Sequence, residues 1–265
     1  MVANIDRQKV QGSFHRQAPD YDGHAVVQRR VVERLTGLLQ AQGVCPERLL
    51  DVGAGTGRLL AALRKLYPAA FAVGADLALG MCRTAAANLA GQGVQLVNAD
   101  AERLPFAAGS FDLVLSTSTF QWLSSLDLAF AEVKRVLAPG GTFCFALFGE
   151  RTLFELRDSY KKALNGGSDR SHSFFSQSDV LDALQRGGFS GCEVTSELEV
   201  ELHRDVPELL RSLKRIGAGS AAPVAAGGLS GRRVMLGMME AYQNDYGRDG
   251  AIPATYEVIY GWGVA

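Results

Sequence analysis

The stretch Leu49-Leu-Asp-Val-Gly-Ala-Gly-Thr-Gly-Arg-Leu-Leu60 decides the fold of this chain. Its apolar beginning, which ends in Asp51, predicts a buried strand, and apolar spacing predicts a helix from about Arg58. Between the two, glycine occupies every second position: Gly53, Gly55 and Gly57. Because glycine has no Cβ, this loop can take positive φ angles and approach a bound molecule closely. The free N–H groups of the following helix favour an anionic group at the same place.

The spacing of these glycines narrows the kind of ligand. Dinucleotide-binding loops usually read G-x-G-x-x-G, whereas this loop reads G-x-G-x-G, with an acid two residues before the first glycine. The D-x-G-x-G-x-G pattern resembles the first motif of the class I S-adenosylmethionine-dependent methyltransferases. One alternative is an ordinary strand-to-helix turn. An NAD-dependent oxidoreductase is the competing interpretation at the level of the fold, and the glycine spacing weakens it.

The composition of the 265-residue chain excludes several classes of protein. Hydrophobic residues make up 47% and charged residues 21%, which is typical of a globular protein with a sizeable core. The net charge of −1 argues against a dedicated nucleic-acid binder. The four cysteines are widely spaced, so neither a zinc site nor a disulfide framework is expected. With no apolar secretory core and no apolar stretch near the ~18 residues of a membrane span, we expect a cytoplasmic protein that binds no membrane.

Acidic residues follow the next two predicted strands. Phe71–Asp76 reads as a second strand, and its last residue is placed to accept hydrogen bonds from both ribose hydroxyls of a nucleoside. The alternative is that Asp76 only caps the following helix. Val94–Asn98 reads as a third strand, followed by Asp100 and Ala101. In the family that these motifs resemble, an aspartate here recognises the adenine amino group and the next backbone amide meets the ring. The alternative is that Asp100 is only a solvent-exposed residue of a turn.

The segment Thr117–Trp122 follows a fourth predicted strand, Phe111–Ser116. Ligands of open α/β sheets bind outside the carboxyl ends of the strands, near the switch in strand order. We therefore expect this segment to face the reacting methyl group, and we assign Gln121 and Trp122 to the substrate pocket. Burial in the core is the alternative for its aromatic side chains.

The two ends of the chain extend this core. Residues Phe14–Gln28 resemble the N-terminal lid of one methyltransferase subgroup, in which Tyr21 would lie over the methionine end of the cofactor. The alternative is that Tyr21 only fastens the lid to the body. Two further strands are predicted at Cys192–Leu202 and Thr255–Trp262. About 50 residues between them, with a Gly/Ala-rich stretch at 217–228, are too many for a plain connection and predict a functional cap.

These motifs together predict an α/β fold. We expect a Rossmann-like, seven-stranded class I methyltransferase sheet with helices on both faces, an N-terminal helical lid, and a helical cap inserted between the last two strands. The sequence Val133–Gly141 resembles the helix-to-strand corner of this superfamily, and its Pro-Gly-Gly is expected to form a turn. The expected single domain 1–265 divides into the lid and first helix (1–42), the cofactor-binding core (45–147), the rest of the sheet layer (148–202 and 254–265) and the substrate cap (203–253).

The resemblance implies S-adenosyl-L-methionine as cofactor, S-adenosyl-L-homocysteine as its product, and no metal. The residues implied as cofactor ligands are Tyr21, Asp51, Gly53, Ala54, Gly55, Gly57, Asp76, Leu77, Asp100, Ala101 and Thr117.

Three segments indicate the substrate. Tyr21–Ala25, Phe120–Trp122 and Arg211–Ala218 resemble the malonyl-acyl-carrier-protein O-methyltransferases of biotin synthesis. Such enzymes esterify the free carboxyl of a malonyl thioester, which implies malonyl-acyl carrier protein or malonyl-CoA as the partner and an early step of biotin synthesis. A carboxyl with a pKa of roughly 4 is already ionised at pH 7, so no general base is required.

Basic residues of the predicted cap are candidates for substrate contacts. Arg211 and Lys214 are three residues apart, share a helix face, and could hold the substrate carboxylate. A solvated basic face is the alternative. Residues 203–233 carry six basic and two acidic residues, a local charge of +4, which could steer an acidic carrier protein.

Two further functions stay open at this point. One keeps the cofactor but changes the acceptor to another small carboxylic acid, such as an aconitate-like acid, or to a quinone-like ring. The other is a non-catalytic S-adenosylmethionine-binding partner protein.

Overall fold

A computed structural model describes residues 6–164, 172–219 and 229–265. Seven strands in these ranges form a mixed sheet with the order β3-β2-β1-β4-β5-β7-β6. The strands are β1 (Arg48–Val52), β2 (Phe71–Asp76), β3 (Val94–Asn98), β4 (Phe111–Thr117), β5 (Leu137–Phe148), β6 (Ser190–His203) and β7 (Ile252–Val264). The first five strands are parallel, and β7 runs antiparallel to both β5 and β6. The predicted seven-stranded α/β sheet is confirmed.

Helices cover both faces of this sheet. They are α1 (Arg7–Gln17), α2 (Val26–Ala41), α3 (Arg58–Leu66), α4 (Leu79–Asn88), α5 (Asp127–Val136), α6 (Phe154–Leu164), α7 (Gln177–Arg186), α8 (Val206–Arg215) and α9 (Leu229–Tyr246). Short 3-10 helices span Tyr21–Gly23 and Phe120–Trp122. One apolar cluster includes buried residues of α2, α3, α6, α8 and α9, and a second includes those of α5 and α7. In the described ranges, each helix is too short or too polar to cross a lipid bilayer.

The strand order reverses between β1 and β4, which are neighbours in the middle of the sheet. Asp51 of β1 lies opposite Gly74 of β2 and Leu115 of β4. Asp76, the last residue of β2, lies opposite Asn98 at the end of β3. The acids that end these strands therefore lie at the carboxyl edge, where open α/β sheets bind their ligands.

The predicted cap consists of α8 and α9, which lie between β6 and β7. The Asp205 carboxylate caps α8 by accepting a hydrogen bond of 2.7 Å from the Glu208 backbone. Buried Leu209 and Leu213 attach the helix to the body of the protein. Residues 220–228, which hold most of the predicted Gly/Ala-rich loop, lie outside the described residues.

The predicted Pro-Gly-Gly turn is part of β5 instead. Helix α5 ends at Val136, and β5 begins with the next residue. The pairing with β4 then jumps from Leu137 to Thr142, so the residues between them bulge out of the ladder. Gly140, at a φ of 78°, donates its N–H to the Ala265 carbonyl at 2.9 Å. The Pro-Gly-Gly segment is therefore a bulge within β5 that is bonded to the chain end, which a local turn signal does not reveal.

Candidate active site

A cavity, named here the first cavity, opens where β1 to β4 end, and α1 forms one of its walls. The predicted site residues that line it are Tyr21, Gly53, Gly55, Asp76, Leu77, Asp100, Ala101, Thr117 and Trp122. Its other lining residues are Arg7, Val10, Gln11, Phe14, Val52, Ala75, Ala78, Met81, Ala99, Ser118, Thr119 and Leu123. The fold thus brings together most of the residues predicted to bind the cofactor.

Asp51 lies just below this cavity and is only 1% exposed. Neither of its carboxylate oxygens has a hydrogen-bond partner among the described residues. Burial, with a smaller contribution from the charge of Asp76, raises the pKa of the Asp51 carboxyl to about 8. A buried carboxyl without partners is costly, and a cationic group such as an amine would satisfy it. The site therefore fits a ligand with an amino group.

Asp76 is held by two backbone amides. Its Oδ2 accepts from the Gly55 N–H at 2.9 Å and its Oδ1 from the Ala78 N–H at 2.8 Å. Burial still raises the pKa of this carboxyl, because desolvation outweighs the two hydrogen bonds. Each oxygen keeps a second lone pair, so the carboxylate can accept from two ligand hydroxyls. The Ala78 contact is not the helix cap that was the alternative for Asp76, because Ala78 is itself the N-cap residue of α4 and the cap has no side-chain hydrogen bond.

Asp100 is tied to the N-terminal helix. Its Oδ1 accepts from the Arg7 guanidinium at 2.6 Å and from the Glu102 N–H at 3.0 Å. Arg7 also forms an ion pair with the Glu102 carboxylate. Both hydrogen bonds to Asp100 use Oδ1, and Asp100 lines the first cavity, so its Oδ2 can accept from an amino group there.

Three glycines of the loop serve different purposes. A Cβ on Gly53, whose φ is 79°, would lie 1.9 Å from the Thr119 Oγ1. A Cβ on Gly57, which caps α3 at a φ of 86°, would lie 2.6 Å from the Leu89 Cδ1. Gly55, at a φ of 54°, instead leaves open space beside its Cα and turns its N–H to Asp76.

Ala54 does not line the first cavity. It lines a recess behind the loop, together with Thr56 and Arg58. Tyr21, Gly53, Gly55, Thr117 and Ser118 line both this recess and the first cavity.

The N-terminal segment is fastened across the carboxyl edge of the sheet. The Asp22 carboxylate accepts from the Thr56 hydroxyl at 2.7 Å and pairs with Arg58 at 3.2 Å. Farther along, the His15 Nδ1 accepts from the Gly80 N–H at 3.0 Å. These contacts, with those of Arg7, hold the predicted lid in a closed position.

Tyr21 and Phe14 extend from this segment into the site. Their ring centroids are 6.3 Å apart, and Phe14 meets Trp122 edge-on at 5.7 Å. Burial, followed by the charges of Asp22 and Asp76, raises the pKa of the Tyr21 phenol far above its ordinary range. Tyr21 therefore keeps its proton and can donate a hydrogen bond.

A second cavity adjoins the first. Its lining residues are Phe14, Tyr21, Gln28, Ser118, Gln121, Trp122, Phe148, Thr152, Leu153, Phe174, Leu213, Ile216, Ala218 and Tyr256. None of these described lining residues carries a charge. Phe14, Tyr21, Ser118 and Trp122 line both cavities and form the wall between them.

The segment after β4 forms the sheet side of this wall. Ser118 takes a left-handed φ of 54°, which is uncommon for a residue with a side chain. Its N–H donates to the Ala146 carbonyl at 2.8 Å, and its carbonyl accepts from the Gln121 Nε2 at 2.7 Å. Gln121 is 1% exposed and lines only the second cavity. Trp122 packs on His172 with ring centroids 5.1 Å apart.

The structure does not bring Arg211 and Lys214, the residues predicted to hold the substrate carboxylate, into either cavity. Both side chains are exposed on the outer face of α8, and neither lines the first or second cavity. The face that points inward carries Leu213, with Ile216 beyond the helix end. Arg211 lines a surface groove with His24 instead. The apolar residues of α8 decide its orientation, so the basic face meets solvent, as the alternative reading held.

Among residues 6–164, 172–219 and 229–265, no group of three or more His, Cys, Asp or Glu side chains could hold a metal ion.

Comparison with known proteins places this site in a family. A family model described as a methyltransferase domain matches residues 50–145. A malonyl-acyl-carrier-protein O-methyltransferase from Geobacter sulfurreducens is 57% identical over 264 residues, which cover 98% of this chain and 99% of that protein. The chain belongs to the malonyl-acyl-carrier-protein O-methyltransferase family. A member from Methylovorus sp. is 40% identical and covers 97% of this chain and 88% of its own length.

Membership in this family confirms the predicted class I S-adenosylmethionine-dependent methyltransferase. Solved structures agree on the fold. A Bacillus halodurans putative methyltransferase has a TM-score of 0.62 at 19% identity, covering 87% of this chain and 97% of that one. A Haemonchus contortus phosphoethanolamine N-methyltransferase in complex with S-adenosyl-L-methionine has a TM-score of 0.55 at 19% identity. The match covers 88% of this chain and 52% of that chain.

The structure adds residues to this methyltransferase site that sequence patterns did not indicate. Arg7 reaches Asp100 across 93 positions of the chain, and no local motif marks it. Thr119 belongs to a segment that was predicted to face the methyl group, but its contact with Gly53 was not foreseen. His172 lies next to Trp122, and no local motif marks it in the sequence.

Proposed function

We propose that this methyltransferase transfers the methyl group of S-adenosyl-L-methionine to the free carboxyl of a malonyl thioester, as an early step of biotin synthesis. The observation that carries the proposal is the wall shared by the two cavities. The first cavity gathers the acids and glycines expected for a nucleoside, and the second is an uncharged chamber on the other side of Phe14, Tyr21, Ser118 and Trp122. A methyl group held at this wall would face an acyl group in the second cavity.

The residues of the first cavity suit the parts of this cofactor. Asp51 would take the amino group of the methionine end, Asp76 the ribose hydroxyls, and Asp100 with Ala101 the adenine. Tyr21 would cover the methionine end. When bound, S-adenosyl-L-methionine supplies a sulfonium-activated methyl group that a carboxylate oxygen can accept directly, leaving S-adenosyl-L-homocysteine.

The second cavity suits an ionised acyl group. A malonyl carboxyl with a pKa of roughly 4 needs no base to lose its proton at pH 7. What the protein must supply is alignment of the reacting atoms and exclusion of water. The aromatic and aliphatic lining does both, since it restricts the acyl group and lowers the local dielectric constant. Low dielectric strengthens the attraction between a carboxylate and a neighbouring cation.

The uncharged lining also bears on the alternatives. An aconitate-like acid carries several carboxylates, and the described lining of the second cavity offers no cation to any of them. A malonyl thioester presents only one charge, on a short apolar chain. We therefore favour the thioester over free polycarboxylates.

The carrier protein is proposed to dock on the exposed basic residues of α8 and α9. These are Arg211, Lys214, Arg215, Arg232 and Arg233. An acidic carrier would be attracted to such a surface, and α8 carries its basic residues on the side opposite to Leu213, which lines the second cavity. We place the reaction in the cytoplasm, where the four free cysteines would stay reduced.

Radiolabelled methyl transfer tests this function. Wild-type protein is incubated with labelled S-adenosyl-L-methionine and either malonyl-carrier protein, malonyl-CoA, free malonate or acetyl-carrier protein. We expect a base-labile methyl ester on the malonyl thioesters and none on the acetyl thioester, which lacks a free carboxyl. Label transferred to free acids but not to thioesters would contradict the proposal, and binding of cofactor without any transfer would favour a non-catalytic partner protein.

A further inference from the structure

Three buried polar atoms without a hydrogen-bond partner belong to neighbouring residues, of which Gln121 and Trp122 line the second cavity. Among the described residues these include Gln121 Oε1, Trp122 Nε1 and His172 Nε2. The Trp122 and His172 rings are 5.1 Å apart, and His172 also hydrogen-bonds to the Gln121 backbone. Folded proteins satisfy nearly all of their buried polar atoms. An unpartnered acceptor on Gln121 and an unpartnered donor on Trp122, both residues that line the second cavity, therefore indicate a polar ligand.

The chemistry of the three atoms decides what kind of group each can bind. The Gln121 Nε2 donates to the Ser118 carbonyl, which leaves Oε1 as an acceptor. Burial first, and then the charge of Arg157, lower the pKa of His172 to about 4 despite its bond to Gln121. A neutral imidazole that donates one N–H to a carbonyl has a lone pair on its other nitrogen, so His172 Nε2 is an acceptor as well. Trp122 Nε1 can only donate, so among these three atoms it supplies the hydrogen-bond donor.

The position of Trp122 matches the place where the acyl carboxyl has to lie. Its side chain belongs to the wall shared by the two cavities. Phe14 meets the indole edge-on at 5.7 Å and His172 packs on it at 5.1 Å, which limits its rotation. The indole that carries the unpartnered N–H is therefore a fixed part of the wall shared by the first and second cavities.

We propose that the Trp122 indole N–H binds one carboxylate oxygen of the malonyl group, so that the other oxygen faces the first cavity. The assignment rests on the proposed function and replaces the role predicted for Arg211 and Lys214. A neutral donor has an advantage here over Arg or Lys. An Arg or Lys side chain beside the carboxylate would stabilise the carboxylate in the ground state, and its positive charge would repel the sulfonium. An N–H orients the nucleophile and leaves most of the carboxylate charge for the reaction.

Kinetics with a small malonyl thioester, malonyl-pantetheine, test the contact without the carrier protein. Trp122→Phe keeps an aromatic ring and removes only the N–H donor. Because a hydrogen bond to a charged group is lost, we expect KM to rise about tenfold or more, while the Kd for S-adenosylhomocysteine stays within twofold. Trp262→Phe is the matched control, since it changes the other tryptophan, which lies on β7 away from both cavities, and it should leave KM unchanged.

Two results of these kinetics would overturn the assignment. One is an unchanged KM in Trp122→Phe while wild type is active. The other is a KM that rises in Tyr21→Phe and not in Trp122→Phe, which would give the donor role to the Tyr21 hydroxyl. If wild type methylates no malonyl thioester, the proposed function fails and this assignment falls with it, so the two failures can be told apart.

Fluorescence gives a second readout that needs no turnover. In Trp262→Phe the only remaining tryptophan is Trp122, so its emission can be followed during titration with malonyl-pantetheine in the presence of S-adenosylhomocysteine. We expect a saturable change at concentrations at least about tenfold lower than with acetyl-pantetheine, which lacks the carboxylate. Equal responses to the two thioesters would contradict the contact, even if Trp122→Phe fails to fold.

Discussion

Gly53 and Thr119 approach so closely that a Cβ on the glycine would lie 1.9 Å from the threonine Oγ1. The contact joins the loop after β1 to the segment after β4, on the two sides of the switch in strand order. The Thr119 hydroxyl also donates to the Gly53 carbonyl at 3.4 Å and to the Thr117 carbonyl at 3.1 Å. The floor of the first cavity is thus one packed unit rather than two independent loops.

Substitution Gly53→Ala should therefore displace this floor. The new methyl group would meet Thr119, and the alanine would have to adopt a backbone φ of 79°. We therefore expect the affinity for S-adenosylhomocysteine to fall at least about tenfold. Isothermal titration calorimetry measures this. Gly91→Ala is the matched control, because Gly91 also has a positive φ, 77°, but open space around it. Equal losses in the two variants would mean that backbone strain, and not the contact with Thr119, is responsible.

Cofactor affinity should depend on pH through Asp51. Its carboxyl has a pKa of about 8 in the ligand-free protein, and an amino group bound beside it would lower that pKa. Binding then releases a proton, so the affinity for S-adenosylhomocysteine should rise from pH 5.5 to 7.5 by up to about tenfold per pH unit. Calorimetry in buffers of different ionisation enthalpy would count the protons. Asp51→Asn should bind more weakly without this slope, and a slope that survives in Asp51→Asn would assign it to Asp76.

Asp51→Asn should also stabilise the ligand-free protein at high pH. The folded-state pKa of Asp51 is raised, so its contribution to stability is complete below the unfolded pKa of about 4 and is lost as pH rises toward 8. Asp51→Asn avoids this loss, and its melting temperature should exceed that of wild type by several degrees at pH 8 but not at pH 4.

Asp112→Asn is the control for this melting experiment, because the pKa of Asp112 is shifted in the opposite direction to that of Asp51. Burial raises the pKa of Asp112, but hydrogen bonds from Arg48 and the Glu47 backbone outweigh it and lower the pKa overall. Asp112→Asn should therefore lower the melting temperature at pH 8. A higher melting temperature in both variants would show that removal of any carboxylate stabilises the protein.

Arg7 should link closure of the N-terminal segment to cofactor binding. Arg7→Ala removes its ion pairs with Asp100 and Glu102. Since these contacts are partly exposed, we expect a loss of only about two- to tenfold in affinity for S-adenosylhomocysteine, with faster hydrogen exchange across α1. Lys9→Ala is the control on the same helix, because Lys9 is 80% exposed and pairs only locally with Asp6. Unchanged exchange in Arg7→Ala would contradict the link.

Charge reversal tests carrier docking. Arg232→Glu with Arg233→Glu should lower kcat/KM for malonyl-carrier protein at low salt by about tenfold or more, because long-range attraction is lost, and spare malonyl-pantetheine. Lys65→Glu with Arg83→Glu makes the same change in net charge on exposed residues of α3 and α4. Equal effects of the two pairs would indicate a response to net charge alone and not to a docking surface.

Sequence patterns predicted the sheet and the glycines and acids that line the first cavity because each of these features is local. A strand, a glycine loop and an acid are consecutive in the chain, as in Leu49–Gly57, so their spacing carries the geometry. To predict which face of a helix is buried, its apolar pattern has to be weighed against its charges. Arg211 and Lys214 share a face of α8, but Leu209, Leu213 and Ile216 form the opposite, buried face. That apolar pattern was present in the sequence and outweighs the charges.

Other parts of the site depend on contacts between distant residues. The bond of Arg7 to Asp100 and the packing of His172 on Trp122 join parts of the chain that are 93 and 50 positions apart. Nothing in the residues near Arg7 or His172 marks them, since each is placed by the fold as a whole. The ligand roles assigned to Tyr21, Asp51, Asp76 and Asp100 stay predictions.

The wall formed in part by Phe14 and Tyr21 has a kinetic consequence. Both residues come from the N-terminal segment, and both line the first and second cavities. When that segment lifts, the two chambers open to solvent together. We therefore expect release of S-adenosyl-L-homocysteine and of the ester to depend on a single opening motion, whose rate would set an upper limit on turnover.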